Sequence, residues 1–362
     1  MDTKGLNFAR AALALAMNDG SAAEWAAHRW GQDSKAASIT KAAVSIGDTG
    51  THAALHSDYA AAAAEFIELV RAESIIGQLN GLRRVPDGTP FLRQTGSTTA
   101  NWVGEGKPAP ISKAVFARDT IQLLKLMAMT VNTKELLSGP DADRILRDEL
   151  LKATREALDT AFIDPANSGV ANEQPASITN GLTALTATGT MKTDIEAMVG
   201  AFEGDLSRAV FVGSPELFVK INGDTYPNIG ARGGELAGVP AIASTGLPDD
   251  GSGKHRLVLL DPGQIIYTGM ETATLKSSEA GTIEMSDTPT ANGATSTGAE
   301  LVSLFQCNAV AVATMIEANW ERQREAAVVL LEEIGGDILE IEVAPNGVQV
   351  RNLFNIDKAE AA

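Results

Sequence analysis

Two short segments hold residue types that could bind a metal or a phosphate, and both fail on spacing. His52 and His56 stand four residues apart, as on the helix of a zinc protease. Ala53 occupies the position of the glutamate general base, so we predict two surface histidines rather than a metal site. The segment Gly251–Lys254 lacks the earlier glycine and the following serine or threonine of a phosphate-binding loop, and it predicts a turn.

The remaining candidates for chemistry are one thiol and one glycine-rich segment. Cys307 is the only cysteine, no histidine lies near it in the sequence, and its alternating neighbours predict a buried structural thiol in a strand. The segment Gly230–Gly234 lacks dinucleotide-binding spacing and a strand running into it, which favours a flexible loop. The sequence has no Gly-x-Ser-x-Gly motif. We therefore predict no catalytic residue, no cofactor and no metal, and a protein that is not an enzyme.

Composition narrows the class of protein further. The 362 residues include 29 Lys+Arg and 46 Asp+Glu, a formal net charge of −17 at pH 7. This charge repels phosphate and argues against sequence-specific nucleic-acid binding. A single core rarely grows beyond about 250–300 residues, so we expect two lobes or one core with long excursions. The longest charge-free apolar stretch, residues 301–316, is shorter than the roughly 20 residues of a membrane-spanning helix.

The elements that could position functional residues begin with an arm, residues 1–58. Phe8–Met17 predicts a short helix, and a capping box opens a second helix over Ala22–Trp30. The rest of the arm shows no sustained period. We expect Trp25 and Trp30 to pack against another subunit or the main body rather than to bind a ligand.

A long β-hairpin is predicted after the first amphipathic helix, which spans Asp58–Leu79. Its first strand-like half follows Arg93, and its second half runs from Val115 to Leu126. A tip rich in glycine, proline and lysine joins the two halves over Gly104–Ser112. This hairpin has too little apolar surface to fold onto a core of its own. It therefore needs a partner surface.

A second long helix and a mixed lobe complete the pattern. Pro140 suits a first helical position, and apolar residues recur at three- and four-residue steps to Phe162, a helix about 33 Å long. Strands and helices then alternate to about residue 298, with a hairpin predicted over Ala273–Met285. Leu301–Trp320 predicts a strand that pairs with Ala326–Leu331. The strands predicted in the lobe are Ala209–Val212, Val239–Ala243, Leu257–Leu260 and Ile265–Tyr267. Ser214 and Pro215 are predicted to cap a helix that ends at Ile221. Residues 335–362 are predicted to form an acidic tail.

The order of these parts resembles the major capsid proteins of tailed bacteriophages, which have the Hong Kong 97 (HK97) fold. The similarity covers about residues 60–320, and it depends on the order and spacing of several short motifs rather than on a catalytic signature. The motifs are Arg93–Gly96, Asn101–Pro108, Ser112-Lys113-x-x-Phe116, Thr133–Leu137, Leu158–Phe162, Gly238–Pro240 and Phe305-Gln306-x-Asn308-x-Val310-Ala311.

The resemblance implies an α+β fold of the HK97 type. It assigns 1–58 to an N-terminal arm, 59–83 to the first part of a peripheral domain, 84–122 to the extended E-loop, 123–190 to the second peripheral part with its spine helix, 191–298 to a mixed α/β axial domain, 299–335 to the third peripheral part, and 336–362 to an acidic C-terminal tail. The inter-subunit residues that it implies are Arg93, Trp102, Gly104, Glu105, Gly106, Lys107, Lys113 and Phe116 in the E-loop, Trp25 and Trp30 in the arm, and Gly230, Arg232 and Gly233 in an axial-domain loop.

The implied function is structural. A capsid protein of this family would assemble with itself through hexamers and pentamers into an icosahedral virion shell that encloses double-stranded DNA without reading its sequence. Assembly would occur in the host bacterial cytoplasm with no membrane, together with a portal and a scaffold or maturation protease, and a decoration protein could bind outside. We expect bending at Gly96, Gly104 and Gly106, and around Gly230–Gly234, because one subunit must fit five- and six-fold rings.

Three alternatives stay open. An encapsulin-type nanocompartment shares the fold but usually lacks the long arm and the Trp-x-Gly-Glu-Gly loop. A gene-transfer-agent capsid is indistinguishable by sequence, and a soluble α/β binding protein or hydrolase is disfavoured by the missing motifs. The chain also departs from the family pattern in its longer tail, in the expected absence of a scaffolding segment before the arm, and in cross-linking residues that do not align.

Overall fold

The protein folds into two compact units, each built from several segments of the chain. The first unit comprises Met1–Glu73, Lys125–Arg155 and Met270–Glu317, and the second comprises Ser74–Leu124, Glu156–Gly269 and Ala318–Ala362. The computed structural model describes residues 4–17, 21–41, 53–96, 102–103, 105, 115–249, 254–279, 281–284, 301–334, 339–344 and 347–352.

Helices and strands both contribute, which confirms the predicted α+β class. The helices are α1 (Leu6–Ala16), α2 (Ala22–Trp30), α3 (Lys35–Lys41), α4 (Ala53–Glu73), α5 (Ile75–Gln78), α6 (Lys134–Leu137), α7 (Ala142–Ile163), α8 (Met191–Ala201) and α9 (Pro215–Ile221). The strands are β1 (Arg83–Arg84), β2 (Pro90–Gly96), β3 (Val115–Thr120), β4 (Leu124–Thr133), β5 (Leu185–Thr186), β6 (Val210–Gly213), β7 (Ile229–Gly230), β8 (Gly233–Leu236), β9 (Val239–Ala243), β10 (His255–Leu260), β11 (Ile265–Ser278), β12 (Thr282–Glu284), β13 (Leu301–Ser303), β14 (Ala309–Arg322), β15 (Val328–Ile334), β16 (Leu339–Ala344) and β17 (Gly347–Asn352). Among the described helices, none combines the length and apolar composition that crossing a bilayer requires.

The N-terminal helices pack into a small apolar cluster. Ser21 accepts a hydrogen bond from the Glu24 backbone N–H, which confirms the predicted N-cap of α2. Phe8 is fully buried and stacks on Phe66 of α4, with ring centroids 4.8 Å apart. Helix α3 lies in a stretch for which no periodic structure was predicted. The prediction of no regular structure after Trp30 is therefore wrong at Lys35–Lys41, where alanines allow the helices to pack closely.

The predicted helix over Asp58–Leu79 is broken in the structure. Helix α4 ends at Glu73, and Ser74 adopts an extended conformation while its hydroxyl accepts a hydrogen bond from the Gly77 N–H. The buried Asp159 carboxylate accepts a second hydrogen bond from the Ile75 N–H at 2.9 Å. Two acceptors thus satisfy the free N–H groups of a new helix start, which explains the break.

Helix α7 agrees with the predicted spine helix except at its start. It begins at Ala142, so Pro140 precedes the helix by two residues instead of occupying its first position, and the Asp141 carbonyl accepts hydrogen bonds from the next turn. The predicted apolar face is confirmed for its leucines and phenylalanine but not for Ala153 and Ala157, which are exposed. Its buried members include Leu146, Leu150, Leu158 and Phe162.

A seven-stranded mixed sheet forms the centre of the second unit. Its strand order is β5-β15-β10-β6-β9-β8-β7, and α8 and α9 contribute to the same apolar core. Phe211 and Phe218 are fully buried in that core. Ser214 caps α9 with Pro215 in its first turn, as predicted. Strand β15 pairs with β10 and β5, so the prediction that Ala326–Leu331 pairs with the preceding strand is wrong.

The glycine-rich segment around Arg232 is an ordered hairpin rather than the predicted flexible loop. Ile229 pairs with Gly234 and Gly230 with Gly233. Gly234 has φ of 140°, and a Cβ atom there would lie 2.1 Å from the Asn228 carbonyl oxygen. The glycines therefore allow two backbone segments to approach closely at the edge of the sheet.

Gly234→Ala is expected to destabilise the second unit by roughly 2–5 kcal/mol, because the methyl group overlaps backbone atoms and φ is positive. Gly230→Ala is the matched control, since nothing lies within 4 Å of a Cβ at that position. Urea unfolding of both variants measures the difference. Equal stability of the two variants would contradict this account of the hairpin.

The long strands near the C-terminus differ from their predicted form. Strand β11 continues from Ile265 to Ser278, so no hairpin begins at Ala273, and β12 pairs instead with β13. A turn over residues 304–308 interrupts the strand predicted from Leu301. Cys307 lies in this turn and is exposed, which corrects the prediction of a buried thiol. The four-stranded sheet has the order β1-β11-β14-β4.

The C-terminal tail contains a second hairpin that sequence analysis missed. Strands β16 and β17 are antiparallel and form a two-stranded sheet of their own, with Ile341 opposite Val350 and Glu340 opposite Arg351. The tail is therefore not irregular throughout.

Candidate assembly interface

The hairpin predicted as the E-loop presents the most exposed aromatic residue among those that the structure describes. Strands β2 and β3 are antiparallel, and their register shifts between Gln94 and Gly96. Beyond them, Trp102 has a relative exposure of 105%, and Val103 and Glu105 are also exposed. The predicted hairpin is confirmed, although its second strand ends at Thr120 and not at Leu126. An indole in full contact with water is unusual in a monomer and typical of a surface awaiting a partner.

A small apolar cluster anchors the root of this hairpin within the second unit. It consists of Val85, Phe91, Ile121 and Ile266. The Asp87 carboxylate accepts a hydrogen bond from the Leu123 N–H at 2.8 Å and fixes the turn after β3. The root is thus held while the tip carries no described apolar packing.

Of the other predicted E-loop residues, the structure describes the backbone of Arg93 and Phe116. Arg93 pairs with Ala117 and Phe116 with Gln94 in the hairpin register. Gly104, Gly106, Lys107 and Lys113 lie outside the described residues, as do His52 and Gly251–Gly253, and the described backbone at His56 belongs to α4.

Strand β4 adds an exposed apolar row that sequence reasoning did not select. It is the outer strand of the four-stranded sheet, and Met127 and Met129 are 55% and 52% exposed on one face. No alternation marked the two methionines, since Leu126, Met127, Ala128 and Met129 are all apolar. An outer strand with exposed methionines offers both free backbone groups and an adaptable apolar surface.

A further exposed surface lies where α6 meets the 304–308 turn in the first unit. Leu136 is 56% exposed and Phe305 is 85% exposed. The Lys134 N–H donates to the Asn308 carbonyl oxygen at 3.0 Å, and the Asn308 side-chain amide donates to the Glu135 carboxylate at 2.7 Å. We call this surface, α6 with residues 304–308, the corner. Hydrogen bonds to the residue's own backbone, then to Asn308, lower the pKa of Glu135, so the carboxylate is ionised at neutral pH.

Trp25 and Trp30 lie in the N-terminal helix cluster. Their rings meet edge to face with centroids 5.3 Å apart, and both are half-buried against a cluster of alanines. The Arg10 guanidinium lies 5.4 Å from the Trp30 ring centroid, and that of Arg29 lies 5.4 Å from the Trp25 centroid. The structure thus gives these tryptophans partners within their own chain.

The predicted axial-domain residues lie together on the β7–β8 hairpin. Arg232 is exposed at its turn, and Gly230 and Gly233 form the closing pair of the hairpin. Strand β7 is the last strand of the seven-stranded sheet, so this hairpin lies at a sheet edge.

One group in the described residues has the composition of a metal site. Glu216, Asp249 and His255 offer ligand atoms within 4.8 Å of one another. His255 is buried, with Nδ1 2.9 Å from an Asp249 carboxylate oxygen and Nε2 2.7 Å from the Lys220 Nζ. A neutral imidazole that donates to Asp249 and accepts from Lys220 satisfies both nitrogens. Hydrogen bonding within the protein therefore accounts for this group.

Comparison with known sequences identifies the family. The sequence model of the phage capsid family matches residues 60–332, and the chain belongs to this family. Family membership, together with the α+β order of parts, confirms the HK97-like fold class that the motifs predicted.

Three similar proteins come from bacteriophages. The capsid polyprotein of Pseudomonas phage PAJU2 is 36% identical over 330 residues, and the match covers 83% of this chain but 49% of that protein. The chain thus spans about half the length of that relative. Among solved structures, that of Gordonia phage Cozz has a TM-score of 0.49 at 20% identity, covering 73% of this chain and 87% of its own. That of Mycobacterium phage Ogopogo has a TM-score of 0.49 at 17% identity, covering 72% and 92%.

Proposed function

We propose that this chain is the major capsid protein of a tailed phage and assembles with copies of itself, through hexamers and pentamers, into an icosahedral shell around double-stranded DNA. Membership of the phage capsid family is the observation that carries the proposal. The role is structural rather than catalytic. The mature location is the virion, after assembly in the host bacterial cytoplasm.

The exposed surfaces support self-association. Trp102 at the E-loop tip and the methionine row on β4 are apolar and open to water in the single chain. Subunits that enclose a large volume need extensive contacts, and obligate interfaces typically bury about 2,000–5,000 Å². We assign residues 84–122 to the E-loop, 191–298 to the axial domain, and the flanking segments 59–83, 123–190 and 299–335 to the peripheral domain.

The charge of the chain supports a container for DNA. A net charge of −17 gives the wall little attraction for phosphate, so packaged DNA stays free to move against it. Portal, scaffold, maturation protease and decoration protein are the partners that we propose, and the inter-subunit residues of the E-loop tip remain Trp102, Gly104, Glu105, Gly106 and Lys107.

Expression with the scaffold and portal of the same phage is expected to yield closed particles of uniform diameter in negative-stain electron microscopy. Light scattering that shows only monomers and dimers under these conditions would contradict the proposal. Extraction of the purified particles separates the alternatives, since phage DNA supports the proposal, and an enzyme cargo indicates a nanocompartment. Random host DNA indicates a gene-transfer agent.

A further inference from the structure

Arg10 of α1 and Arg29 of α2 form hydrogen bonds with the segment of the first unit where α6 ends and α7 begins. The Arg29 guanidinium donates to the carbonyl oxygens of Ser138, at 3.1 Å, and Gly139. The Arg10 Nε donates to the Asp143 carboxylate at 2.8 Å. The Trp30 ring lies within 5.9 Å of both guanidinium carbons. We call Arg10, Arg29 and Trp30 the clasp.

The clasp adds hydrogen bonds at the end of α6 and at the start of α7. Ser138 and Gly139 follow the last residue of α6, where a cation is favourable, and the Gly139 carbonyl also accepts a hydrogen bond from the Ala142 N–H. Asp143 lies in the first turn of α7, is 8% exposed, and needs a compensating charge because of that burial. Arg29 therefore stabilises the end of one helix and Arg10 the start of the next.

Helix α6 also belongs to the corner. Leu136 and Phe305 are exposed there, and the hydrogen bonds of Asn308 fix the 304–308 turn to α6. The 304–308 turn is thus bonded to the first two residues of the four-residue helix α6, and the Arg29 guanidinium restrains the two residues that follow the same helix. Arg10, Arg29 and Trp30 lie before residue 60, outside the part of the chain that the family model matches.

We propose that Arg10 and Arg29 are positioning residues that act within their own subunit and hold the corner in the orientation in which Leu136 and Phe305 contact a second copy of this chain. The inference rests on the proposed function. A second copy is the partner because a closed shell brings identical chains against the sides of each subunit, and because an apolar corner beside ionised Glu135 does not suit an anionic partner such as DNA.

A charge exchange tests whether the clasp acts within one subunit. We expect Arg10→Asp to lower the yield of sedimenting shells about tenfold, and Arg10→Asp with Asp143→Arg in the same chain to restore it to within about twofold. Co-expression of the two single variants should leave the yield low. Restoration by co-expression equal to that of the double variant would show that the clasp is exchanged between copies, and normal yield for Arg10→Asp would also overturn the proposal.

A second set of variants, a double-mutant cycle, tests whether Arg29 acts through the corner. This cycle does not require the Asp143→Arg variant to fold. Arg29→Ala and Phe305→Ser should each lower shell yield about tenfold, Arg29→Lys should lower it less, and the Arg29→Ala/Phe305→Ser chain should be no worse than the poorer single variant. Losses that multiply in the double variant would overturn the proposal. Wild-type chain that forms no shells would instead refute the proposed function, so the two failures are distinguishable.

Discussion

Trp102→Ala is expected to lower the yield of closed shells at least tenfold and to leave the thermal stability of the unassembled subunit unchanged. The indole is fully exposed in the single chain, so its removal costs the subunit no packing. Burial of such a ring against a neighbour contributes roughly 2–3 kcal/mol, and about 1.4 kcal/mol corresponds to a tenfold change in an equilibrium constant. Sedimentation measures shell yield, and circular dichroism measures unfolding of the subunit.

Two variants serve as controls for Trp102. Glu105→Ala removes a proposed inter-subunit charge from the same tip and should lower the yield much less than Trp102→Ala does, since exposed ion pairs contribute only about 0–1 kcal/mol. Val219→Ala removes apolar area from α9, where the side chain is 55% exposed, and reports the effect of a generic surface truncation. Normal shell yield with Trp102→Ala would show that the tip makes no decisive apolar contact.

Asp159→Ala is expected to destabilise the second unit by about 3–5 kcal/mol. The carboxylate is 3% exposed and accepts hydrogen bonds from the Ile75 N–H and the Ser244 hydroxyl, both at 2.9 Å. Each hydrogen bond to a charged group contributes about 1.5–3 kcal/mol, and the truncation leaves both buried donors unsatisfied. The midpoint of urea unfolding measures the loss.

Asp159→Asn should lose less than the alanine variant, because the amide keeps one acceptor oxygen and most of the volume. Asp148→Ala on the same helix is the exposed control, with a side chain that is 56% exposed and paired only across the surface with Arg147. Its expected loss is at most about 1 kcal/mol. A similar loss for Asp148→Ala and Asp159→Ala would show that the buried carboxylate has no special role.

Local patterns in the sequence predicted those elements whose stability depends on their own residues. Helix α7 has a clear apolar period, and α2 and α9 have serine caps. In each of these cases the residues that decide the element lie within it or next to it, so a single sequence was sufficient.

Elements decided by distant partners were missed. The break between α4 and α5 depends on Asp159, which lies 84 residues from Ile75. Helix α3 has few apolar residues larger than alanine, and its buried Ala36 and Ala37 pack in the cluster that contains Ala14 and Ala26. Strand β15 pairs with β10 and not with the strand that precedes it in the sequence. The alternation of apolar and polar residues predicts a strand but not which strand it pairs with.

The sequence predicted those parts of the candidate interface that depend on local residues and missed those that depend on distant partners. Trp102 stood out because a large apolar residue in a glycine-rich hairpin has no local means of burial. Met127 and Met129 did not stand out, since their exposure follows from the position of β4 at the outside of a sheet. The clasp was invisible because Ser138 and Gly139 contribute only backbone carbonyls, which every residue possesses.

The exposed turn that contains Cys307 has a practical consequence. The sequence has a single cysteine, and that thiol is open to solvent, so a maleimide dye attaches at one defined point on each subunit. Two residues away, Phe305 is 85% exposed in the same turn. Fluorescence from such a label therefore reports the surroundings of the corner directly, and in an assembled particle its intensity counts the copies of the chain.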